Sequence, residues 1–494
     1  MRTFVITGLL LLLISSPATA LKLDLRQVQK RALEANLGLR AQVLETAGAV
    51  HAVSGGYGVY DPRLEAETVA GGIREKVNFS FLSANPVEKT DYREGRLSLL
   101  QKLPSGASLS LEYSTRRESS NNTTRLFEPS YDNEWQVALT QPLLRNFGRT
   151  ATEQDLLFAV EDRRISFQQL RQQAFSVLVE ARRYYFEVLR LRNELHYRTA
   201  SVEVAKRLLK ENRAKVEAGV LPSVEILQAE VGVQLRKRQK LEVGRLYENA
   251  LDRLRSLLDY FGPLEITGEL GQAALDPEEG RAYTLALLKR PDLARLRSQV
   301  SRLELDQQLA QNQARPDLDL SARYGHAGLE REYGDSLDEL AEDDLRRWEV
   351  GLTFSYPIGN RTAHYASRRA EILKQAGKAR TRQQENEVRR EVRAAIRLLE
   401  VSAEKIEVGR LATKLAEEEL RTLFKRREVG LATTREVLEG EEDLAEAKSL
   451  YSDALAEYNV AVTEYYRVTG QLLEQEGIVF RKIEGSGRIA PSYE

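Results

Sequence analysis

The stretches "EAGVLPSVEILQAE" at residues 217–230 and "EVGLATTREVLEGE" at residues 428–441 are two versions of one sequence pattern. They agree at five positions, all related by a shift of 211 residues: Glu217/Glu428, Gly219/Gly430, Glu225/Glu436, Leu227/Leu438 and Glu230/Glu441. Each copy follows a long stretch without proline, residues 150–216 and 361–427, rich in strong helix formers. Because glycine tolerates the left-handed backbone at a helix end, Gly219 and Gly430 are predicted to reverse the chain at the tips of two helical hairpins.

The duplication extends over most of the chain. "RALEANLGLRAQ" (31–42) matches "LALLKRPDLARL" (285–296) at a shift of 254, and "EWQVALT" (134–140) matches "RWEVGLT" (347–353) at a shift of 213. The blocks keep their order and the shift changes only in loops, which chance does not explain. We predict a first repeat at 21–260, a second repeat at 261–470, and a C-terminal equatorial segment or tail at 471–494.

The predicted helices are too long to fold back into a globule. At 1.5 Å per residue, either proline-free stretch would reach on the order of 100 Å. The second stretch has apolar residues in steps of three and four, which predict one buried stripe: Val388, Val392, Ile396, Leu399, Ala403 and Ile406. We expect hairpins at about 146–260, with a tip at 217–224, and at about 360–470, with a tip at 428–435, packed lengthwise as a coiled coil or tube wall.

Several segments alternate apolar and polar residues with period two, which predicts strands. Examples are "RWEVGLTFSYP" (347–357), "DLDLSARY" (317–324) and "ASLSLEYS" (107–114). Trp135 and Trp348, the only two tryptophans, begin equivalent strands, and tryptophan marks the edge of the lipid-facing band in transmembrane barrels. Although a soluble half-buried strand gives the same pattern, we predict barrel strands at about 62–142 and 316–357, with outside loops at 118–133 and 326–346.

An additional hairpin is predicted in the first half only. "EGRLSLLQKLPSGASLSLEYST" (94–115) places two alternating runs around the turn sequence Pro104-Ser105-Gly106. The first half then supplies four strands and the second half two. Four to six strands cannot close a barrel, and open edges are forbidden in lipid, so identical protomers must share one. Whether the hairpin at about 94–117 joins it, giving 18 rather than 12 strands per trimer, stays open.

The N-terminus and the composition indicate the cellular compartment and exclude several functions. Arg2, the apolar run "FVITGLLLLLI" and the ending Ala18-Thr19-Ala20 predict a secretory signal peptide at residues 1–20; the alternative is a membrane anchor, for which the run is too short. The 494 residues contain no cysteine, which excludes disulfides and thiol catalysis, and the net charge of −1 indicates no nucleic-acid partner.

No pattern predicts catalysis, a cofactor or a metal. The sequence lacks a P-loop, and no acidic pair is distinguished for general acid–base chemistry. The four histidines, His51, His196, His326 and His364, lack metal-binding spacing and are expected at the surface. We therefore predict that the protein is not an enzyme.

The ordered set of motifs resembles the TolC-like outer-membrane efflux protein family. The resemblance rests on "LDLRQVQKRALEAN" (23–36), "RPDLARLRSQV" (290–300), the joints "LTQPLLRNFGR" (139–149) and "LTFSYPIGNR" (352–361), and both glycine tips. It implies an α+β membrane protein: a homotrimer that shares one β-barrel in the outer membrane, continued by a long α-helical coiled-coil tunnel through the periplasm. It also implies a passive duct that an adaptor (membrane fusion) protein connects to an inner-membrane pump, in tripartite efflux or type I secretion.

The resemblance implies a constriction at the periplasmic tip, where carboxylates point at the axis. Aligned through the glycine turns, those positions are Glu225, Glu436 and Glu439, and the positions that brace the closed tip are Arg427 and Ala432. Arg427 could pair with a carboxylate, but Ala432 cannot. A different interpretation is that Thr433-x-x-Glu436 is a capping box and that the glutamates form a solvated helix face.

Two other classes of protein remain as alternatives. A periplasmic coiled-coil adaptor or scaffold protein would share the signal peptide and the long helices, but has no need of strands that begin near tryptophan and end in proline. An outer-membrane adhesin on a trimeric barrel would not need two matched periplasmic hairpins. Within the channel interpretation the cargo is hidden, and multidrug-type efflux is favoured as the commoner use of the fold.

Overall fold

The chain folds into two units, one mainly helical and one that contains a six-stranded sheet. The computed structural model describes residues 20–76, 87–342, 345–482 and 489–493, so the predicted signal peptide lies outside the described residues except for Ala20. The helical unit comprises Met1–Thr46, Phe167–Ala294 and Arg382–Glu494, and the sheet unit comprises Ala47–Ser166 and Arg295–Thr381.

The order of the described helices and strands in the first half of the chain recurs in outline in the second half. The helices are α1 Leu25–Ala35, α2 Leu37–Gly56, α3 Arg149–Thr152, α4 Gln154–Glu217, α5 Val224–Leu257, α6 Glu279–Lys289, α7 Pro291–Gln313, α8 Tyr333–Glu339, α9 Arg361–Glu428, α10 Thr434–Val468 and α11 Leu472–Gln475. The strands are β1 Leu21–Leu23, β2 Arg63–Lys76, β3 Val87–Lys102, β4 Ser108–Ser120, β5 Ser130–Pro142, β6 Leu264–Ile266, β7 Asp317–Glu330, β8 Arg346–Ser355, β9 Ile478–Lys482 and β10 Ile489–Tyr493. A short 3₁₀ helix spans Tyr57–Tyr60.

The helical unit shows the duplication directly. One cluster packs α1 against α4 and α5, and a second packs α6 against α9 and α10. Ala32 and Ala286, matched in the sequence, are both fully buried in these clusters, because each small side chain lets its short helix lie close to the long ones. None of the described helices combines the length and the hydrophobicity that a membrane-spanning helix needs.

The sheet unit contains one antiparallel sheet in the order β2-β3-β4-β5-β7-β8. Register partners lie on the same side of the sheet, so its apolar face can be followed from strand to strand: Leu64, Leu99, Leu111, Val137, Tyr324 and Trp348. The other face is charged, and Arg96 there pairs with Glu67 at 3.5 Å and with Glu112 at 3.3 Å. Apolar and polar faces on one sheet are the pattern of a barrel wall.

Three sequence predictions about the sheet are corrected or decided. The additional hairpin, β3 and β4, lies inside the sheet. The predicted loops at 118–133 and 326–346 are too long, because backbone pairing extends β4 to Ser120, begins β5 at Ser130 and extends β7 to Glu330. The polar residues at these strand ends still belong to the strands, because their main chains form hydrogen bonds with the neighbouring strands.

The expectation that all four histidines lie at the surface is wrong for His326. Its ring is buried and stacks on Trp135 with centroids 5.2 Å apart. The Tyr324 hydroxyl lies 2.9 Å from its Nε2. The strand pattern of Tyr324 and His326 puts both on the apolar face, so the imidazole is a packing partner of Trp135.

Candidate functional site

The tips of the two helical hairpins are built alike. At the first tip Gly219 has φ +74°, Gly219 N donates to Val216 O at 2.9 Å, and Val220 N donates to Lys215 O at 2.8 Å. At the second tip Gly430 has φ +77°, with the equivalent bonds from Gly430 N and Leu431 N. Both turns are Schellman motifs, in which a glycine in the left-handed region ends the helix.

A buried polar network joins both hairpins close to these turns. The Asn212 side chain of α4 is completely buried; its Nδ2 donates to Thr434 Oγ1 at 2.8 Å and to the Glu225 carbonyl at 3.0 Å. Its Oδ1 accepts a hydrogen bond from Arg427 Nη2 at 2.7 Å, and Arg427 Nη1 donates to Glu211 Oε2 at 3.0 Å. We call Glu211, Asn212, Arg427, Thr434 and the Glu225 carbonyl the tip network.

The tip network connects the four longest of the described helices. Asn212 and Glu211 belong to α4, Glu225 to α5, Arg427 to α9 and Thr434 to α10. The Arg427 side chain is only 9% exposed, and Asn212, one of its two acceptors, is completely buried, whereas the Glu211 carboxylate is 45% exposed. A buried guanidinium left without acceptors is costly, and the network therefore holds the two hairpins in one relative position.

Glu436 occupies the capping position that its spacing from Thr433 predicted. Its Oε2 accepts from Thr433 N at 2.6 Å, and Glu436 N donates to Thr433 Oγ1 at 3.2 Å, which completes the capping box of α10. The capping-box interpretation is confirmed. Because the carboxylate folds back onto the N-terminus of its own helix, its first role is to cap that helix.

The contribution of Glu436 to the tip is expected to depend on pH. Its pKa is lowered from the ordinary 4.5, because the carboxylate accepts hydrogen bonds from the backbone and side chain of Thr433. A carboxyl whose pKa is lower in the folded state stabilises that state fully above its unfolded pKa, and the contribution is lost as the pH falls through the folded value. Amides in the first turn of α10 should therefore keep their protection from hydrogen exchange above the ordinary pKa of 4.5 and lose it as the pH falls below that value.

Glu436→Gln should remove most of that change, since an amide has no charge to lose. Hydrogen exchange of residues 434–437, corrected for intrinsic rates, measures the effect in both proteins. Equal loss of protection in the wild type and the variant would contradict the assignment.

The other predicted carboxylates lie differently. Glu439 is 58% exposed and accepts from Arg435 Nε at 2.7 Å, one turn away on α10; this pairing raises the pKa of Arg435. Glu225 is half-buried, and among the described residues only its main chain makes a hydrogen bond within the tip network. Arg427 pairs with Glu211, and Asn212 supplies the second acceptor that Ala432 cannot.

Sequence reasoning missed a buried ion pair about two to three turns into the helices that leave the tips. Arg236 of α5 and Glu441 of α10 are 4% and 8% exposed, with Nε and Oε2 3.0 Å apart. Ser201 Oγ also donates to Glu441 Oε2, at 2.5 Å, and Arg236 donates to the Leu438 carbonyl. Glu230, the repeat equivalent of Glu441, instead pairs at the surface with Arg213 at 2.6 Å, so the sequence held no signal that one copy is buried.

The two tryptophans share the apolar face of the sheet. Both side chains lie on the same face of the sheet, in neighbouring rows of paired residues. Trp135 is half-buried beside His326, whereas Trp348 is 73% exposed. Within residues 20–76, 87–342, 345–482 and 489–493, no group of three or more His, Cys, Asp or Glu side chains is arranged to hold a metal ion.

Comparison with known proteins identifies related sequences and folds. The family model described as outer membrane efflux protein matches residues 103–259 and 282–471, more than half of the chain. No curated protein matches the sequence significantly.

Solved structures share the fold at low sequence identity. The Campylobacter jejuni CmeC outer membrane channel superimposes with a TM-score of 0.65 and 14% identity, over 91% of this chain and 86% of that one. A membrane protein from Pseudomonas aeruginosa gives 0.67 and 17%, over 90% of both chains. The outer membrane protein VceC from Vibrio cholerae gives 0.63 and 17%, over 90% of this chain and 96% of that one.

Proposed function

This chain belongs to the outer membrane efflux protein family, and from that membership we propose that its helical tips form the periplasmic gate of a passive export duct. The gate consists of the tip network, which holds the two hairpins together, and of the carboxylates Glu225 and Glu439 beside it. Gly219 and Gly430 make the reversals that bring these groups to the end of the helices.

Family membership decides several sequence predictions. The predicted family and fold class are confirmed, and so are the outer-membrane location and the function as a duct. Members of this family are channels and not enzymes, which confirms the prediction that the protein is not an enzyme. The adaptor and adhesin alternatives are set aside by the same match.

Channels of this family are homotrimers that work with a periplasmic adaptor and an inner-membrane pump. For this chain we propose that three copies assemble, that an adaptor engages the helical part, and that the pump supplies all the energy. We also propose the division of the chain that the sequence predicts. The strands of both repeats lie in the lipid, Trp135 and Trp348 lie at the membrane–water interface, and both hairpins lie in the periplasm.

The observation that carries the proposed gate is the burial of Asn212 and Arg427 between the two hairpins. Widening an aperture made by helix tips requires one hairpin to move relative to the other. That movement breaks the bonds from Arg427 to Asn212 and from Asn212 to Thr434. Hydrogen bonds to charged groups contribute about 1.5–3 kcal/mol each, so the closed position is favoured until a partner offsets this cost.

Three copies would place Glu225 and Glu439 in rings around the axis. Rings of carboxylates favour cations in pores. Glu436 keeps its negative charge, but its carboxylate is held against Thr433 by the hydrogen bonds of the helix cap and is less free to face the axis. The proposed order of importance is therefore Glu439 and Glu225 before Glu436.

The double variant Glu225→Gln/Glu439→Gln tests the gate. We expect its cation preference in planar bilayers to fall several-fold, because both rings lose their charge while the side chains keep their size. The reversal potential in a KCl gradient measures this. Glu418→Gln is the matched control, since Glu418 is also 58% exposed and pairs with an arginine on its own helix, Arg421. A reversal potential unchanged in the double variant would reject the ring assignment.

A further inference from the structure

We infer that the outer-membrane part of this duct is an 18-stranded barrel, in which β8 of each copy pairs with β2 of the next. The number follows from six strands in the sheet of one chain and from three copies, so the inference rests on the proposed homotrimer. The two surfaces that meet are the free edges of β8 and β2, and the proposed partner of each edge is a second copy of this chain.

The additional hairpin is an integral part of the sheet. Residues Arg63–Lys76 of β2 pair along their whole length with β3, and β4 pairs with both β3 and β5. In the described residues β2 has no other strand neighbour within the chain. A 12-stranded barrel would need β2 to pair with β5, and that position is occupied by β4.

The turn of the hairpin is fastened to the strand-to-helix connection after β5. Gly148 N donates to the Ser105 carbonyl at 2.9 Å, and Ser105 Oγ donates to Gln141 Oε1 at 2.7 Å. Gly106 has φ +92°, and a Cβ there would lie 2.4 Å from the Asn146 carbonyl oxygen. Such close packing of a glycine turn shows that the hairpin belongs to the wall at this end.

The hairpin has the two-faced pattern of the other strands. On β3 and β4, Leu97, Leu99, Leu109 and Leu111 share the apolar face and are 37–48% exposed, although they are large aliphatic side chains. On the opposite face Arg96 of β3 pairs with Glu67 of β2 and Glu112 of β4. Lipid on one side and water on the other would satisfy both faces.

The two edge strands are the ones that need a neighbour. All but one residue of β2 and all but one of β8 are exposed, whereas most residues of β5 are half-buried or buried. Unpaired main-chain groups at a sheet edge are not tolerated in hydrocarbon. With six antiparallel strands, β2 and β8 run in opposite directions, so the edge of one copy meets the next copy in an antiparallel pair.

The same join continues the apolar belt. Leu64, Ala66 and Thr68 of β2 would lie beside Val350 and Leu352 of β8 on the lipid side. With a strand spacing of about 4.8 Å and a tilt of about 40°, 18 strands enclose a backbone cylinder about 36 Å across, against about 24 Å for 12 strands. A barrel of this size leaves an aqueous channel, so selection by size would fall to the helical tips.

Cysteine cross-linking tests the join, because the chain has no cysteine of its own. Leu352→Cys would be combined in turn with Leu64→Cys, Ala66→Cys, Thr68→Cys and Ala70→Cys, in outer membranes, with oxidation or a short bis-maleimide. We expect at least one combination to give covalent dimers and trimers on denaturing gels. Products linked by the bis-maleimide should persist when the gel is run under reducing conditions. Leu352→Cys with Leu99→Cys is the control and should give no product between copies, since β3 lies one strand further away.

A second pair tests whether the hairpin is in the wall. Leu111→Cys and Val137→Cys are register partners on the apolar faces of β4 and β5 and should link within one copy. If the protein is a conducting trimer but no β2–β8 combination links, or Leu111 and Val137 do not link, the 18-stranded barrel is wrong while the duct stands. If no trimer forms, the proposed function itself is wrong. A strand count from electron microscopy of the trimer in nanodiscs decides the matter without variants.

Discussion

Replacing Asn212 with alanine is expected to leave the trimer assembled and to raise the open probability of the channel by about ten- to a hundred-fold. The Asn212 side chain is completely buried and accepts the charged hydrogen bond from Arg427 while it donates to Thr434 and to the Glu225 carbonyl. Loss of a bond to a charged group costs about 1.5–3 kcal/mol, and 1.4 kcal/mol corresponds to about a factor of ten in an equilibrium.

Single-channel recording in planar bilayers measures this effect, and Arg427→Ala should act in the same direction. Arg421→Ala is the control, because Arg421 is 65% exposed and pairs with Glu418 on its own helix, outside the proposed gate. Asn212→Asp separates the two parts of the network, since a carboxylate keeps the acceptor for Arg427 but cannot donate to the Glu225 carbonyl. An Asn212→Ala trimer with wild-type conductance and open probability would remove the tip network from the gate.

Replacing Arg236 with alanine is expected to destabilise the helical hairpins by about 3–5 kcal/mol, the typical cost of removing one partner from a buried ion pair. Arg236 and Glu441 are 4% and 8% exposed, so the remaining carboxylate would keep only the hydrogen bond from Ser201. The loss of helical circular dichroism in guanidinium chloride measures the change.

The duplication supplies a matched control for this experiment. Glu230→Ala removes the equivalent glutamate of the first hairpin, whose pair with Arg213 is exposed on both sides, and surface pairs contribute about 0–1 kcal/mol. The double variant Arg236→Met/Glu441→Leu should recover most of the lost stability, since apolar residues of similar volume often replace a buried pair without cost. If Arg236→Ala and Glu230→Ala are equally mild, the buried pair has no special role in stability.

The parts of the fold that sequence predicted depend on local rules. Gly219 and Gly430 could be placed at helix ends because few residues other than glycine adopt a positive φ easily. The capping box of Thr433 and Glu436 needs only residues three positions apart. Period-two alternation likewise predicted β5, β7 and β8, since each strand shows its two faces in its own sequence.

The parts that sequence could not predict depend on residues far apart in the chain. Asn212 stands among other polar helix residues, and only its neighbours Thr434 and Arg427, more than 200 positions away, make it part of the tip network. The hairpin β3–β4 was recognisable as two strands, but its place in the sheet was settled by pairing with β2 and β5. The burial of His326 could not be predicted either, because nothing in the local sequence reveals its stacking on Trp135.

Sequence alone therefore determined the duplicated plan of this protein: two long helical hairpins with glycine tips, alternating strands, and an outer-membrane channel of the efflux type. The tertiary structure alone decided which copy of a repeated residue is buried, as Glu441 is and Glu230 is not. The reason is physical: backbone conformation and amphipathic period are properties of neighbouring residues, whereas burial and ion pairing depend on which distant helix or strand packs against them.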